Sequence, residues 1–293
     1  AAEFFLYTLI EDANGDLITS PSISPEHAHK NGTGNERDGS TICEGPAMDR
    51  QILTDLFSNC AQASTILGVD EEFRQAIQDT ARRLSPMQIG RHGQLQEWLD
   101  DWDSPDDHHG HISHLYGAYP SGQINPEQTP DLFQAARKSL EFRGPHGGWP
   151  GAWQVSLWAR FGDGNRSHDV LMDHIIPRVS NNLFNGKRVY QIDANLGATA
   201  GIAEMLLQSH MGHIDLLPAL PDAWSTGLVT GLRTRGGFEV DIEWADGKLV
   251  TARVLSLLGN PCKIRYARAA VEFDTVKGAV YALSSDLTHR LTS

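Results

Sequence analysis

Apolar and polar positions follow two different rhythms along this chain. From the N-terminus to about residue 210 the rhythm is helical. Phe4, Phe5, Tyr7, Leu9 and Ile10 mark the end of a helix. A loop rich in Ser, Pro, Gly and Asn follows from Asp12 to Gly45. Pro46 then suits a first helical turn, where its missing N–H costs nothing. Ile52, Leu53, Leu56, Phe57, Cys60 and Ile66 recur at roughly helical spacing as far as Gly68. Asp70-Glu71-Glu72 places negative charge at the start of another helix, which carries Phe73, Ile77 and Leu84. Further helices are predicted over 128–142, 150–161 and 167–179. The stretch 196–208 is apolar on nearly all sides, which predicts a buried helix. Residues 85–125 read as irregular, with short helical turns over 95–99 and 112–119.

After Gly212 the period falls to two. Leu216 to Pro221 breaks helical spacing, and Phe238 to Trp244 alternates apolar and polar residues as a half-buried strand does. Asp246-Gly247 signals a hairpin turn, and strands continue over 249–257 and 262–266. The fold class expected is mostly α: residues 1–211 helical, then a small all-β, β-sandwich-like domain over 212–293. No repeat is visible, although paired helices joined by long loops fit a toroid whose hairpins have diverged.

Composition narrows the partners. The chain has 293 residues, 40% hydrophobic, with a formal charge of −13. That is a folded chain with core to spare, not a disordered one, and its length suggests about two domains. Nucleic acid and membrane surfaces are poor partners, because both are bound through Lys and Arg. No segment reaches the length of an apolar membrane span. The opening AAEFFLYTLIEDANGD lacks a basic region and a cleavage site, so it reads as a helix entered part-way and not as a signal peptide. Cys43, Cys60 and Cys262 allow at most one disulfide and fit no metal spacing. Sequons at Asn31 and Asn165 permit an extracellular, secreted location.

Two carboxylates stand out by context. Glu26 lies in Thr19-Ser20-Pro21-Ser22-Ile23-Ser24-Pro25-Glu26-His27, a stiff loop that either fixes an acid or merely turns at the surface. Asp193, in Tyr190-Gln191-Ile192-Asp193-Ala194-Asn195, is either a helix N-cap or an acid beside a buried helix with an altered pKa. His108, His109, His111 and His114 crowd beside Asp106 and Asp107. They read as a hydrogen-bonding loop, a wall for sugar hydroxyls, or a metal site, the last disfavoured by the absence of HExxH. Trp149, Trp153 and Trp158 mostly suit a helix core or its N-terminal edge, while Trp98 and Trp149 also lie beside Gly or charged residues in expected loops, where a ring face suits either core packing or a sugar. No GxSxG elbow, Walker loop or GxGxxG fingerprint is present.

Eight tracts in one order carry a resemblance. They are TSPSISPEH (19–27), GPAMDRQILTDLF (45–57), GRHGQLQEW (90–98), HGHISHLYGAYP (109–120), GGWPGAWQVSLWARFGDG (147–164), YQIDANLGATAGIAEMLLQSH (190–210), LLPALPDAW (216–224) and GLRTRGGFEVDIEW (231–244). Together they resemble glycoside hydrolase family 95, the inverting α-L-fucosidases. The resemblance implies part of an (α/α)6 barrel followed by a β domain, a fucosylated oligosaccharide or glycan as substrate, and neither metal nor cofactor. It implies Glu26 as general acid, Asp193 as general base, and His111, Trp98, Trp149 and Asn195 as groups that meet substrate. An inverting pair stands about 6.5–9.5 Å apart around a water, with the acid protonated and the base ionised.

Three departures accompany it. The family's asparagine tract that holds the water precedes the acid, and residues 1–25 do not carry it; the chain alone is therefore expected to act weakly and to need an N-terminal half as partner. His109-Gly110-His111 replaces the family's His-Arg-His, which removes a sugar-binding fork. Asp193-Ala194-Asn195 replaces Asp-Gly-Asn, a strained choice if that glycine needs positive φ. The rival readings are a non-catalytic carbohydrate-binding relic, an α-L-galactosidase of the same family, and a metal hydrolase built on the histidines.

Overall fold

The N-terminal helical rhythm is realised as α1 (Ala2–Thr8), α2 (Ala47–Leu67) and α3 (Glu71–Arg82) in a computed structural model that describes residues 1–29, 41–186 and 189–292. The chain divides into two units, Ala1–Gly144 and Pro145–Ser293. In the first, α2 ends at Gly68, whose φ of 69° is the left-handed cap that glycine supplies at least cost. Leu53, Phe57 and Ala61 of α2 bury one face against Ala2, Ile77 and Leu84. Two short strand pairs flank or fall within the loop expected over 12–45. β1 (Ile10–Glu11) pairs antiparallel with β2 (Leu17–Ile18), and β3 (Ser22–Ile23) with β4 (Ile42–Cys43). Residues 95–99 form bends, not the helical turn expected, and Leu95 bridges to Ile89. A 3-10 turn over Ser113–Leu115 and α4 (Pro130–Arg143) complete this unit.

In the second unit α5 (Gly148–Arg160) lies against α7 (Ile192–Leu206), with α6 (Gly164–Asp169) between them in sequence. Gly197 and Gly201 let the α5 and α7 backbones approach: a Cβ on Gly201 would stand 2.5 Å from Val155 Cγ1. The helix expected over 167–179 is broken. α6 starts at Asp163, whose carboxylate accepts from Arg166 N–H, and passes into a π turn over Val170–Ile175 and a 3-10 turn over Ile176–Arg178. Pro177 has no N–H with which to continue the ladder. The helix expected to be buried is α7, and it starts earlier and is only half covered. Ala198, Gly201 and Met205 are buried, while Ile192 and Leu196 face outward at 56% and 64% exposure.

The period-two region gives two sheets. A four-stranded sheet runs in the order β11 (Ala269–Phe273), β10 (Cys262–Tyr266), β6 (Ile214–Leu216), β5 (Leu207–Gln208). A five-stranded antiparallel sheet runs β13 (His289–Thr292), β12 (Val280–Ser284), β9 (Lys248–Ser256), β8 (Phe238–Ala245), β7 (Gly227–Thr234). One core joins them, with Ile214, Leu216 and Ile264 from the first meeting Val240, Ile242 and Val254 from the second. That is a two-sheet packing built from alternating inward residues. Asp246 (φ 51°) and Gly247 (φ 70°) make the β8–β9 turn with both backbones left-handed, as the Asp-Gly signal predicts.

The three cysteines are all free thiols. Asn31 lies outside the described residues. Asn165 is exposed, but its Nδ2 donates to Asp222 Oδ2 at 3.0 Å, and Ser167 of the same sequon is buried with its hydroxyl on Val155 O.

Candidate active site

Glu26 sits on a turn whose every other residue is anchored. His27 N–H donates to Ser24 O at 3.1 Å, which closes a four-residue turn with Pro25 at its second position. Glu26 takes the third position with φ 50°, where glycine is the ordinary occupant. A left-handed side chain of this kind costs about 1–3 kcal/mol and persists only where the surroundings impose it. Those surroundings are explicit. Upstream, Asp49 Oδ2 of α2 accepts from Thr19 Oγ1 at 2.6 Å and Ser22 Oγ at 2.5 Å. Ser24 Oγ donates to Glu97 Oε1 at 2.5 Å, which leaves Ser113 Oγ to donate to Ser24. His111 Nδ1 stands 2.9 Å from Pro25 O.

A carbonyl only accepts, so His111 carries its proton on Nδ1 and, when neutral, presents Nε2 as an acceptor. That Nε2 is 3.7 Å from Glu26 Oε2. The Glu26 side chain is 83% exposed, so among the described residues it is presented to the outside and not packed.

Beneath the turn lies a buried charge cluster that sequence reasoning missed. Glu97 is fully buried. Its Oε1 receives Ser24 and His27 Nδ1 (3.0 Å), and its Oε2 receives the Arg143 guanidinium. The other ring nitrogen of His27 is 2.9 Å from Asp107 Oδ2, and Arg143 Nη1 is 3.3 Å from the same oxygen. Two anions thus meet two cations, which is the condition for burying charge at tolerable cost. Burial pulls the His27 pKa down, but bonds to Asp107 and Glu97 outweigh it and raise it to about 9. Burial pushes Glu97 up, yet His114, His27 and Arg143 bring it down to about 2. Asp107 goes the same way, with burial opposed by His27 and Arg143. Asp103 accepts the Glu97 N–H, and burial followed by the Glu97 charge lifts it to about 7. His114, 3.3 Å from Glu97 but not aligned for a hydrogen bond, is driven down to about 4, chiefly by burial.

The histidines do not converge on one point. His108 faces Phe142 O at 2.7 Å, His109 accepts from His111 N–H and stacks on His27 at 4.2 Å, and His114 is turned inward. Among the described residues no group of three His, Cys, Asp or Glu is placed to hold a metal ion. Trp98 is buried and packs on His27 at 4.9 Å. With His29, Trp102 and Asp106 it lines a cavity of about 560 Å³.

The second carboxylate lies in the other unit. Asp193 occupies the first turn of α7, exposed. The cap position belongs to Gln191 and no side chain caps it, so the N-cap alternative for Asp193 is not realised. Ala194 is buried inside the helix and is not among the positive-φ residues, so alanine here carries no strain. Asn195 uses both ends of its amide on backbone: Oδ1 accepts from Asn185 N–H at 2.9 Å and Nδ2 donates to Leu183 O at 2.7 Å. It fastens the 183–185 loop to the helix. Trp149 stands on the first turn of α5, not in a loop, half-buried and 6.3 Å from Trp153.

Sequence comparison places the chain among known families. Residues 1–206 match the model described as Glycosyl hydrolase family 95 catalytic domain, and residues 208–290 match Glycoside hydrolase family 95, C-terminal domain. The chain is 34% identical to "Alpha-L-fucosidase 2" of Arabidopsis thaliana over 97% of its own length and 35% of that protein. It is 32% identical to "Probable alpha-fucosidase A" of Aspergillus niger, covering 85% of this chain and 34% of the relative. The chain therefore spans about a third of the curated relatives it matches. Among solved structures it is similar to "Putative kojibiose phosphorylase from human microbiome", with a TM-score of 0.54 over 99% of this chain and 40% of that one; at 9% identity the likeness is one of fold alone.

Proposed function

The chain belongs to glycoside hydrolase family 95, and on that premise we propose that it contributes to an α-L-fucosidase that releases terminal α-1,2-linked L-fucose by single-displacement inversion. Glu26 is the general acid and Asp193 the general base in this reading. His111, Trp98, Trp149 and Asn195 belong to the substrate region, Asn195 by shaping the loop beside α7 and not by a free amide. The helices belong to an (α/α)6 barrel, residues 212–293 form a separate β domain, and the protein acts outside the cell without a cofactor.

The observation that carries the reading is the Glu26 turn. A carboxyl is held out from a strained, fully anchored backbone beside an imidazole acceptor, which suits a group that delivers one proton in one direction. Inversion then needs a base and a water on the opposite face of the sugar. L-galactose differs from fucose by one hydroxyl, so an α-L-galactosidase is the neighbouring possibility. Gly110 favours a second reading, a non-catalytic carbohydrate-binding relic. Its backbone is not left-handed, so a side chain there meets no backbone strain.

Release of L-fucose from 2′-fucosyllactose tests the proposal in the longest polypeptide that carries this sequence. Glu26→Gln and Asp193→Asn should each lower turnover by about 10²–10⁴-fold, the usual worth of a positioned acid or base. Wild-type rates in either variant would remove that residue from the mechanism. Activity absent in the parent and in Gly110→Arg would favour the relic.

A further inference from the structure

We propose that His27 is a positioning residue for the Glu26 acid: its ring, gripped at one nitrogen by Glu97 and at the other by Asp107, holds the turn that keeps Glu26 in its left-handed backbone. The inference rests on Glu26 being the acid, as proposed above.

The geometry is one of opposed acceptors. Nδ1 meets Glu97 Oε1 at 3.0 Å and Nε2 meets Asp107 Oδ2 at 2.9 Å. Carboxylates accept, so both nitrogens carry protons and the ring is an imidazolium. A ring held at both ends cannot rotate without breaking both of its bonds to carboxylates in a largely buried site. Arg143 faces the same two carboxylates, His109 stacks on the ring at 4.2 Å and Trp98 covers it at 4.9 Å. Burial lowers His109 and His114, so neither of these two competes for the carboxylates around neutral pH. His27 adjoins Glu26 directly and its own N–H closes the turn onto Ser24. The ring is thus the link between a buried charge cluster and a strained exposed acid. Its displacement would free φ at Glu26 and move the carboxyl away from His111.

Proton delivery matters to a poor leaving group and little to one that departs unaided. The test compares hydrolysis of 2′-fucosyllactose with that of α-L-fucosyl fluoride in the full chain, for Glu26→Gln, His27→Gln and Asp107→Asn. His27→Gln should lower kcat on the oligosaccharide by about 10²-fold with KM little changed, the scale of a misplaced catalytic group, and spare the fluoride. Asp107→Asn, at a partly exposed position, should show the same split at smaller size and stands in should His27→Gln fail to fold. Equal losses on both substrates, or no loss, would overturn the positioning role. If Glu26→Gln itself shows no split, the acid assignment falls and the role of His27 falls with it; a split in Glu26→Gln but not in the others sinks the role of His27 alone. One readout needs no activity: ring-¹⁵N spectra of this chain at neutral pH should show both nitrogens of His27 protonated, and a singly protonated ring would contradict the arrangement.

Discussion

Glu26 and His27 are neighbours with opposite fates. One is presented outward at 83% exposure, and the other is locked inward between two carboxylates. The buried partner has a thermodynamic consequence. A histidine whose pKa rises from 6.5 to about 9 on folding binds its proton more tightly in the folded state. Its stabilising contribution is complete below about pH 6.5 and is lost as pH rises through about 9. Glu97, His114 and Asp103 titrate at or below about 7, so they do not share that window. Burial raises the Cys43 and Cys262 thiols to about 11 and about 12, so their loss of stability begins only near pH 9. Thermal unfolding from about pH 7 to pH 9 should therefore show a falling Tm whose slope is reduced in His27→Gln. A variant with the same alkaline slope as its parent would show that His27 does not carry that proton.

At the scale of elements, the second carboxylate depends on how closely α7 lies on α5. Gly197 and Gly201 form the contact face, and a methyl at Gly201 would meet Val155 Cγ1 at 2.5 Å and Ser156 N at 3.2 Å. A β-branched side chain has little freedom to yield, and backbone has less. Gly201→Ala should cost about 1–3 kcal/mol in urea unfolding, the range for an overfilled core. A neutral or stabilising result would mean that the helices do not pack through this glycine. The elements were legible in the sequence where local chemistry decides. β8 and β9 follow from alternation and Asp246-Gly247, and α2 follows from its apolar face and Gly68. α7 misled, because a run of Ala, Gly and Leu looks buried whether or not anything covers its second face. The break after Asp169 is marked only by Pro177, too far along to reveal the π turn.

For the whole molecule, the same contrast separates the site from its support. Glu26 and Asp193 are singled out by the tracts that carry them, because those tracts resemble a family. The cluster around Glu97 was not legible. Its partners come from positions 24, 27, 107, 114 and 143, and burial of a charge is decided by such distant pairings and not by neighbours in sequence. The histidine crowd reads as a hydrogen-bonding loop, a sugar wall or a metal site; in the fold His111 bonds the Glu26 turn, His108 faces Phe142 O and His109 stacks on His27. Leu183, Val189, Ile192 and Leu196, close to Asp193 in sequence, are each exposed.

The central claim is that Glu26 donates a proton while a water enters from the opposite face under Asp193. The most direct measurement is the anomer of L-fucose first released from 2′-fucosyllactose, followed by ¹H NMR before mutarotation. β-L-Fucose should appear first, and Glu26→Gln should abolish the signal. α-L-fucose as the first product, or undiminished release by Glu26→Gln, would contradict it.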